Sequence, residues 1–168
     1  MSYSNSGWPT STGPDRFRRG MYTFLRRTSP NPQLITFDAP NSEGVCSRRI
    51  RSDTPLQALT TLNDTAFVEA AQGLARRVMM EGPKDDIGRA TYAFRLCVAR
   101  PPDEIELGQL VAFYSEHLAR YREHVETAKL VAVSESVKPP ADVDLPQLAA
   151  WTTVSRALLN LDETITKE

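Results

Sequence analysis

The sequence predicts a mainly α fold: a bundle-like domain of four to five helices behind an N-terminal arm that is irregular or a short β-hairpin. Three observations lead there. From residue 54 onward, apolar residues recur at three- and four-residue spacing between capping and breaking signals. Before residue 54 prolines crowd the chain, five of the 12 falling by residue 40 (Pro9, Pro14, Pro30, Pro32, Pro40). Each fixes its own φ and disfavours helix at the residue before it. Finally, 168 residues, 40% hydrophobic and 24% charged, suit a single globular domain that buries about two thirds of its unfolded surface.

The organisation follows as an Arg- and Pro-rich arm over residues 1–53, packing on a helical body over residues 54–168. Within the arm, Met21-Tyr22-Thr23-Phe24-Leu25 and Leu34-Ile35-Thr36-Phe37 are rich in β-forming residues, and Ser29-Pro30-Asn31-Pro32 is placed to turn the chain between them. The body opens with Thr54-Pro55-Leu56-Gln57. Thr54 caps, Pro55 takes the first helical position and Gln57 closes a capping box, with Leu56, Leu59 and Leu62 on one side. Asn63-Asp64 breaks or kinks this helix, and Asp64 is placed to cap the next. There Phe67, Ala71, Leu74 and Val78 form the stripe until Gly82-Pro83 ends it. A third helix starts near Asp85 or Asp86, where acids suit the positive end of the dipole, and carries Ile87, Ala90, Thr91, Phe94, Cys97 and Val98. Pro101-Pro102 stops it. Asp103, Glu104 and Glu106 open the longest helix, whose seam is Leu107, Val111, Tyr114, Leu118, Tyr121 and Val125. Residues 133–143 form a polar loop. The last helix follows Asp144-Leu145-Pro146-Gln147, with Leu148, Trp151, Val154, Leu158, Leu161 and Ile165 as its stripe.

The net charge of −1 excludes a chain that is basic or acidic throughout, but it hides a gradient. Residues 1–51 hold eight Arg against three acids (Asp15, Asp38, Glu43), while the rest holds 12 basic residues against 18 acids. Sixteen of the 20 basic residues are Arg, which favours fixed, planar contacts over loose solvation. The favoured reading is intramolecular, with the arm's guanidinium groups fastening it to the body. An anionic partner is the alternative. No apolar run approaches the roughly 20 residues of a membrane helix, and residues 1–12 lack a charged-then-apolar signal layout. Cys46 and Cys97 form no CxxC, CxxCH or zinc spacing, and whether they pair is open.

Catalytic signatures are missing. There is no GxSxG elbow, no GxxxxGK[ST] and no GxGxxG. His117 and His124 lie seven residues apart, roughly 10 Å along a helix, too far for one metal with bonds of about 2 Å; Glu116-His117 and Glu123-His124 read as a solvated face. Neither a cofactor, a metal nor a catalytic residue is therefore assigned, and the reading leans away from an enzyme. The unusual feature is the arm, where Arg16-Phe17-Arg18-Arg19, Arg26-Arg27 and Arg48-Arg49-Ile50-Arg51 interleave with Trp8, Tyr22, Phe24 and Phe37. Such a pattern either tracks an anionic polymer or ties the arm down through carboxylates and carbonyls, with Asp15, Asp38 and Asp64 available.

Several of these blocks resemble a known family. Asp15-Arg16-Phe17-Arg18-Arg19-Gly20 with Tyr22-Thr23-Phe24 and Arg26-Arg27-Thr28 is similar to its first block, and Thr36-Phe37-Asp38-Ala39-Pro40 to its second. Thr54-Pro55-Leu56-Gln57-Ala58-Leu59 with Leu62-Asn63-Asp64 resembles its third. Arg100-Pro101-Pro102 and Leu158-Leu159-Asn160-Leu161-Asp162-Glu163 complete the series. Together, from about Trp8 to the end, they resemble the C-terminal part of the planctomycete secreted domain, a domain of unknown function that closes long secreted cytochrome c-like proteins. The resemblance implies a secreted or periplasmic protein, here a fragment or short member of a longer architecture. Longer members carry a signal peptide, a companion uncharacterised domain and sometimes a haem domain with CxxCH, none of which is seen in this chain, so haem is not inferred.

Three functions are carried forward. The leading one is a non-catalytic interaction domain that docks other domains of the same secreted assembly. The second is binding of a polyanion, an acidic glycan before nucleic acid, through Arg18, Arg19, Arg26, Arg27, Arg48 and Arg49. The third is half of an enzyme site completed by other sequence, with Asp15, Asp38, Asn63 and Asp64 as candidates.

Overall fold

A computed structural model describes residues 8–9, 11, 13–26, 29–40, 44–48, 52–134 and 143–166. The chain divides into two compact units, residues 1–57 and 58–168. The described residues are mainly helical and contain no strand.

The first unit is built from short turns. Two 3-10 turns, Gly13–Phe17 and Gly20–Tyr22, precede helix α1 (Pro32–Thr36). A Cβ on Gly20 would come within 2.8 Å of Leu34 Cδ2, so Leu34 seats against a bare backbone there. The β-hairpin expected over residues 21–25 and 34–37 does not form. Asn31-Pro32, read as a turn, is instead a helix start: the Asn31 side-chain oxygen Oδ1 accepts from the N–H of Gln33 (3.0 Å) and Leu34 (3.3 Å) with Pro32 at the first position. Side-chain capping plus a pre-set φ outweighs the β preference of Leu34-Ile35-Thr36-Phe37. Helix α1 closes with a Schellman motif. The Ala39 N–H reaches Leu34 O at 2.8 Å and the Asp38 N–H reaches Ile35 O at 3.1 Å. Asp38 holds the left-handed position, φ 56°, which Asp tolerates better than most side chains.

Helix α2 (Pro55–Asn63) begins as the sequence dictates. The Gln57 N–H donates to Thr54 Oγ1 at 3.3 Å and the Thr54 N–H donates to Gln57 Oε1 at 2.9 Å, a reciprocal capping box. The side that Leu56 and Leu59 share is not the buried one. Leu56 and Leu59 are exposed, whereas Gln57 and Thr61 are buried.

The second unit contains α3 (Thr65–Glu81), α4 (Asp86–Val98), α5 (Glu104–Glu123), α6 (Val125–Ala132), α7 (Leu145–Leu159) and α8 (Asp162–Ile165). Aspartates start three of them. Asp64 accepts from the Ala66 N–H, Asp85 from Gly88, and Asp103 from Glu106, whose own carboxylate reaches back to the Asp103 N–H at 2.7 Å. A Cβ on Gly88 would lie 2.8 Å from Pro83 Cβ and 2.9 Å from Asp85 Oδ1, so the glycine is what lets Asp85 close over the helix start. Two expected helices divide. The longest stops at His124, where the backbone turns to φ −124°, ψ 69° and α6 begins. The last stops at Leu159, leaving Leu161 exposed and Ile165 on the separate turn α8.

Helix α7 is the hub, packing against α3, α5 and α6. Leu148, Trp151, Val154 and Leu158 are fully or almost fully buried, the stripe that the sequence predicts. The Trp151 ring stacks on Tyr114 of α5 with centroids 4.4 Å apart and planes 25° from parallel. Burial pushes the Tyr114 phenol up to about 12. Eight alanines (71, 75, 90, 93, 128, 132, 149 and 150) have no exposure at all, so the helices meet through small residues around a few large ones. His117 is not on a solvated face. Its ring lies edge-on to Phe113 at 4.4 Å, and burial lowers its pKa. The exposed His124 caps the end of α5 through its backbone N–H.

Candidate functional site

The arm's guanidinium groups are the predicted site, and the described ones separate into two kinds. Arg18 donates from Nε to Asp15 Oδ1 at 2.6 Å and lies over the Tyr22 ring, 5.9 Å from its centroid. Arg26 lies over the Trp8 indole at 4.4 Å, and the indole N–H donates to Ser29 O at 3.1 Å. These two cations are thus engaged within the arm itself. Arg19 and Arg48 are exposed. Arg27 and Arg49 fall outside the described residues. Cys46, beside this group, is an exposed thiol whose Sγ contacts Arg48 O at 3.4 Å, whereas the Cys97 thiol is buried in α4.

Between Arg19 and Arg26 runs an apolar stretch left open to solvent. Met21 is 70%, Tyr22 60%, Phe24 74% and Leu25 49% exposed. Ile35 and Leu56 of the same unit are exposed as well. The sequence carries this signal only as β-forming residues, which say nothing of whether their side chains are covered.

Beneath the surface of this unit a polar knot orders the chain. Gln57 is only 1% exposed. Its amide N–H groups donate to Thr36 O (2.8 Å), Ser52 Oγ (3.1 Å) and Asp38 Oδ2 (3.3 Å), and its Oε1 accepts from Thr54 N–H. The Ser52 hydroxyl and N–H both donate to Asp38 Oδ2, at 2.7 and 2.9 Å. The Ser52 hydroxyl first, then the Ser52 N–H and the Gln57 amide, hold the Asp38 carboxyl below its ordinary range against a smaller desolvation effect. The other proposed acid–base candidates also have structural partners. Asp15 pairs with Arg18, Asn63 Nδ2 donates to Leu59 O at 2.9 Å, and Asp64 caps α3.

A second charged group, which the sequence reading missed, belongs to the second unit. Arg100 donates to both oxygens of Glu106 (2.9 and 2.7 Å) and both oxygens of Glu163 (2.9 and 2.6 Å). Its guanidinium also lies 5.0 Å over the Phe94 ring. Glu106 is lowered to about 2, chiefly by Arg100 and then by the Asp103 N–H; Glu163 is lowered by Arg100 as well. Each oxygen is occupied, and the cluster is a clamp joining α8 to the start of α5. Among the described residues, no group of three or more His, Cys, Asp or Glu is placed to hold a metal ion, and no helix is long and apolar enough to cross a membrane.

A family model, PSD1, described as a protein of unknown function (DUF1553), matches residues 2–114. Four of the five sequence blocks lie inside that match, and the fifth, Leu158 to Glu163, lies beyond it. No curated protein and no solved structure matches the chain. The match takes in the whole arm and the helices from α1 through the middle of α5, and by it the chain belongs to the PSD1 family of proteins of unknown function (DUF1553).

Proposed function

We propose that the chain is a non-catalytic docking domain of a secreted or periplasmic multidomain assembly, and that it engages other domains of that assembly through its N-terminal unit. The observation that carries this is the open stretch Met21, Tyr22, Phe24 and Leu25, flanked by arginines. Large apolar side chains are costly to leave in water, and aromatic, Met and Arg residues are the types enriched where partners bind. The acid–base candidates raised by the sequence each have a structural partner: Asp38 and Asp64 bond backbone N–H groups, Asp15 pairs with Arg18, and Asn63 donates to Leu59 O. The test is binding of the full chain to the companion domain of longer family members. Replacing Met21 and Phe24 together by Ser is expected to weaken binding at least tenfold. Equal affinity of the two chains, or no binding by either, overturns the proposal.

Polyanion binding through Arg18, Arg19, Arg26, Arg27, Arg48 and Arg49 is the second reading, favoured by the exposure of Arg19 and Arg48. It is the weaker one, because Arg18 and Arg26 are already held by Asp15 and by aromatic rings. Retention on immobilised heparin that falls steeply with salt would support it, and no retention at low salt would reject it.

A further inference from the structure

Phe24 and Leu25 present a backbone as well as side chains. Thr23 has φ −74° and ψ 133°, in the extended region, and residues 24–26 belong to no helix or turn. The backbone groups of Phe24 and Leu25 make no hydrogen bond with any described residue. Both ends are nevertheless anchored. On one side the Tyr22 and Thr23 N–H groups bond to Arg19 O and Gly20 O, each at 3.0 Å. On the other, Arg26 is held over Trp8. Tyr22-Thr23-Phe24-Leu25 is a run of strand-forming types, so a strand is encoded here while its ladder partner is missing from the described arm.

We infer that residues 23–26 are a donor strand that adds to an open sheet edge of the partner domain, an edge carrying acidic side chains. This rests on the docking reading and specifies its chemistry. Extended segments that join a sheet edge take affinity from main-chain hydrogen bonds and selectivity from alternate side chains. Four residues span about 13 Å, enough for a short edge pairing, and the anchored ends reduce the ordering that binding would otherwise cost. The acidic character follows from charge. Arg19 is exposed beside the segment, and residues 1–51 carry eight Arg against three acids.

In a ladder, only alternate residues face a given neighbouring strand. One of the two amides, Phe24 or Leu25, is therefore engaged and the other is not. The probe is a cyclic hairpin peptide of alternating Glu and Val with one open edge, added to the full chain and followed by amide hydrogen exchange. The expected result is slowed exchange at one of those two amides. Proline at that position should bind at least tenfold more weakly than alanine there, because it removes the N–H. Protection of neither amide, or equal weakening by Pro and Ala at both positions, overturns the inference. A hairpin with Lys in place of Glu that protects equally overturns its acidic character. If the companion domain binds while both amides stay unprotected, docking stands and strand addition falls. If the hairpin protects an amide but no companion domain binds, strand addition stands and the assembly reading falls.

Discussion

Gln57 shows what a single side chain can organise. Its amide closes a helix cap at one end and, at the other, ties Thr36, Asp38 and Ser52 together. Gln57→Ala strands a buried carbonyl and N–H without partners, which costs about 2–3 kcal/mol. Denaturant titration should show that loss, and the Thr54 amide should exchange faster. Asp38 offers a sharper comparison because it combines φ 56° with its bonds to Ser52. Asp38→Asn keeps a side chain suited to that conformation and one acceptor oxygen, whereas Asp38→Ala keeps neither, so the alanine chain should be the less stable by about 1 kcal/mol. The capping role of Gln57 is legible in the Thr54-Pro55-Leu56-Gln57 spacing. Its long-range bonds are not, since nothing in the order of residues says that position 57 meets positions 36 and 38.

Helix ends were the most readable elements. Asp64, Asp103 and the Thr54 box follow from local chemistry alone, and the structure repeats them. Faces were harder. The same periodicity that places Trp151 and Leu158 inside on α7 leaves Leu56 and Leu59 outside on α2, because the buried side is chosen by what lies opposite. The Arg100 clamp is an element-scale device of this hidden kind, joining residues 63 positions apart. It predicts an acid limb. As pH falls, the unfolded chain protonates position 106 near the ordinary 4.5, while the folded chain keeps it charged until about 2. That share of stability is complete above 4.5 and declines toward 2. Arg100→Met should unfold at lower denaturant and show a flatter limb over the same window. At the end of α4, Ala99 has φ 65°; Ala99→Gly relieves that conformation and should stabilise by about 0.5–1 kcal/mol in the same titration.

For the whole molecule, α7 decides what constitutes a folding unit. The family match ends at residue 114, within α5, yet the core of residues 58–168 is assembled around Trp151, Leu148 and Leu158. A chain ending at residue 114 is expected to lose its cooperative thermal transition, and Trp151→Ala in the full chain to lose about 3–5 kcal/mol; circular dichroism on heating measures both. The small residues between the helices have a different consequence. Where neighbours touch across a methyl group, the backbone has no cushion of long side chains to absorb a change. In a mutagenised library sorted for folded protein, those eight sites should accept little beyond Gly and Ser, while Ile105 and Leu130 on the outside drift freely. Sequence divergence in such a scaffold is channelled to its rim, leaving the interior as the slow-changing record of ancestry.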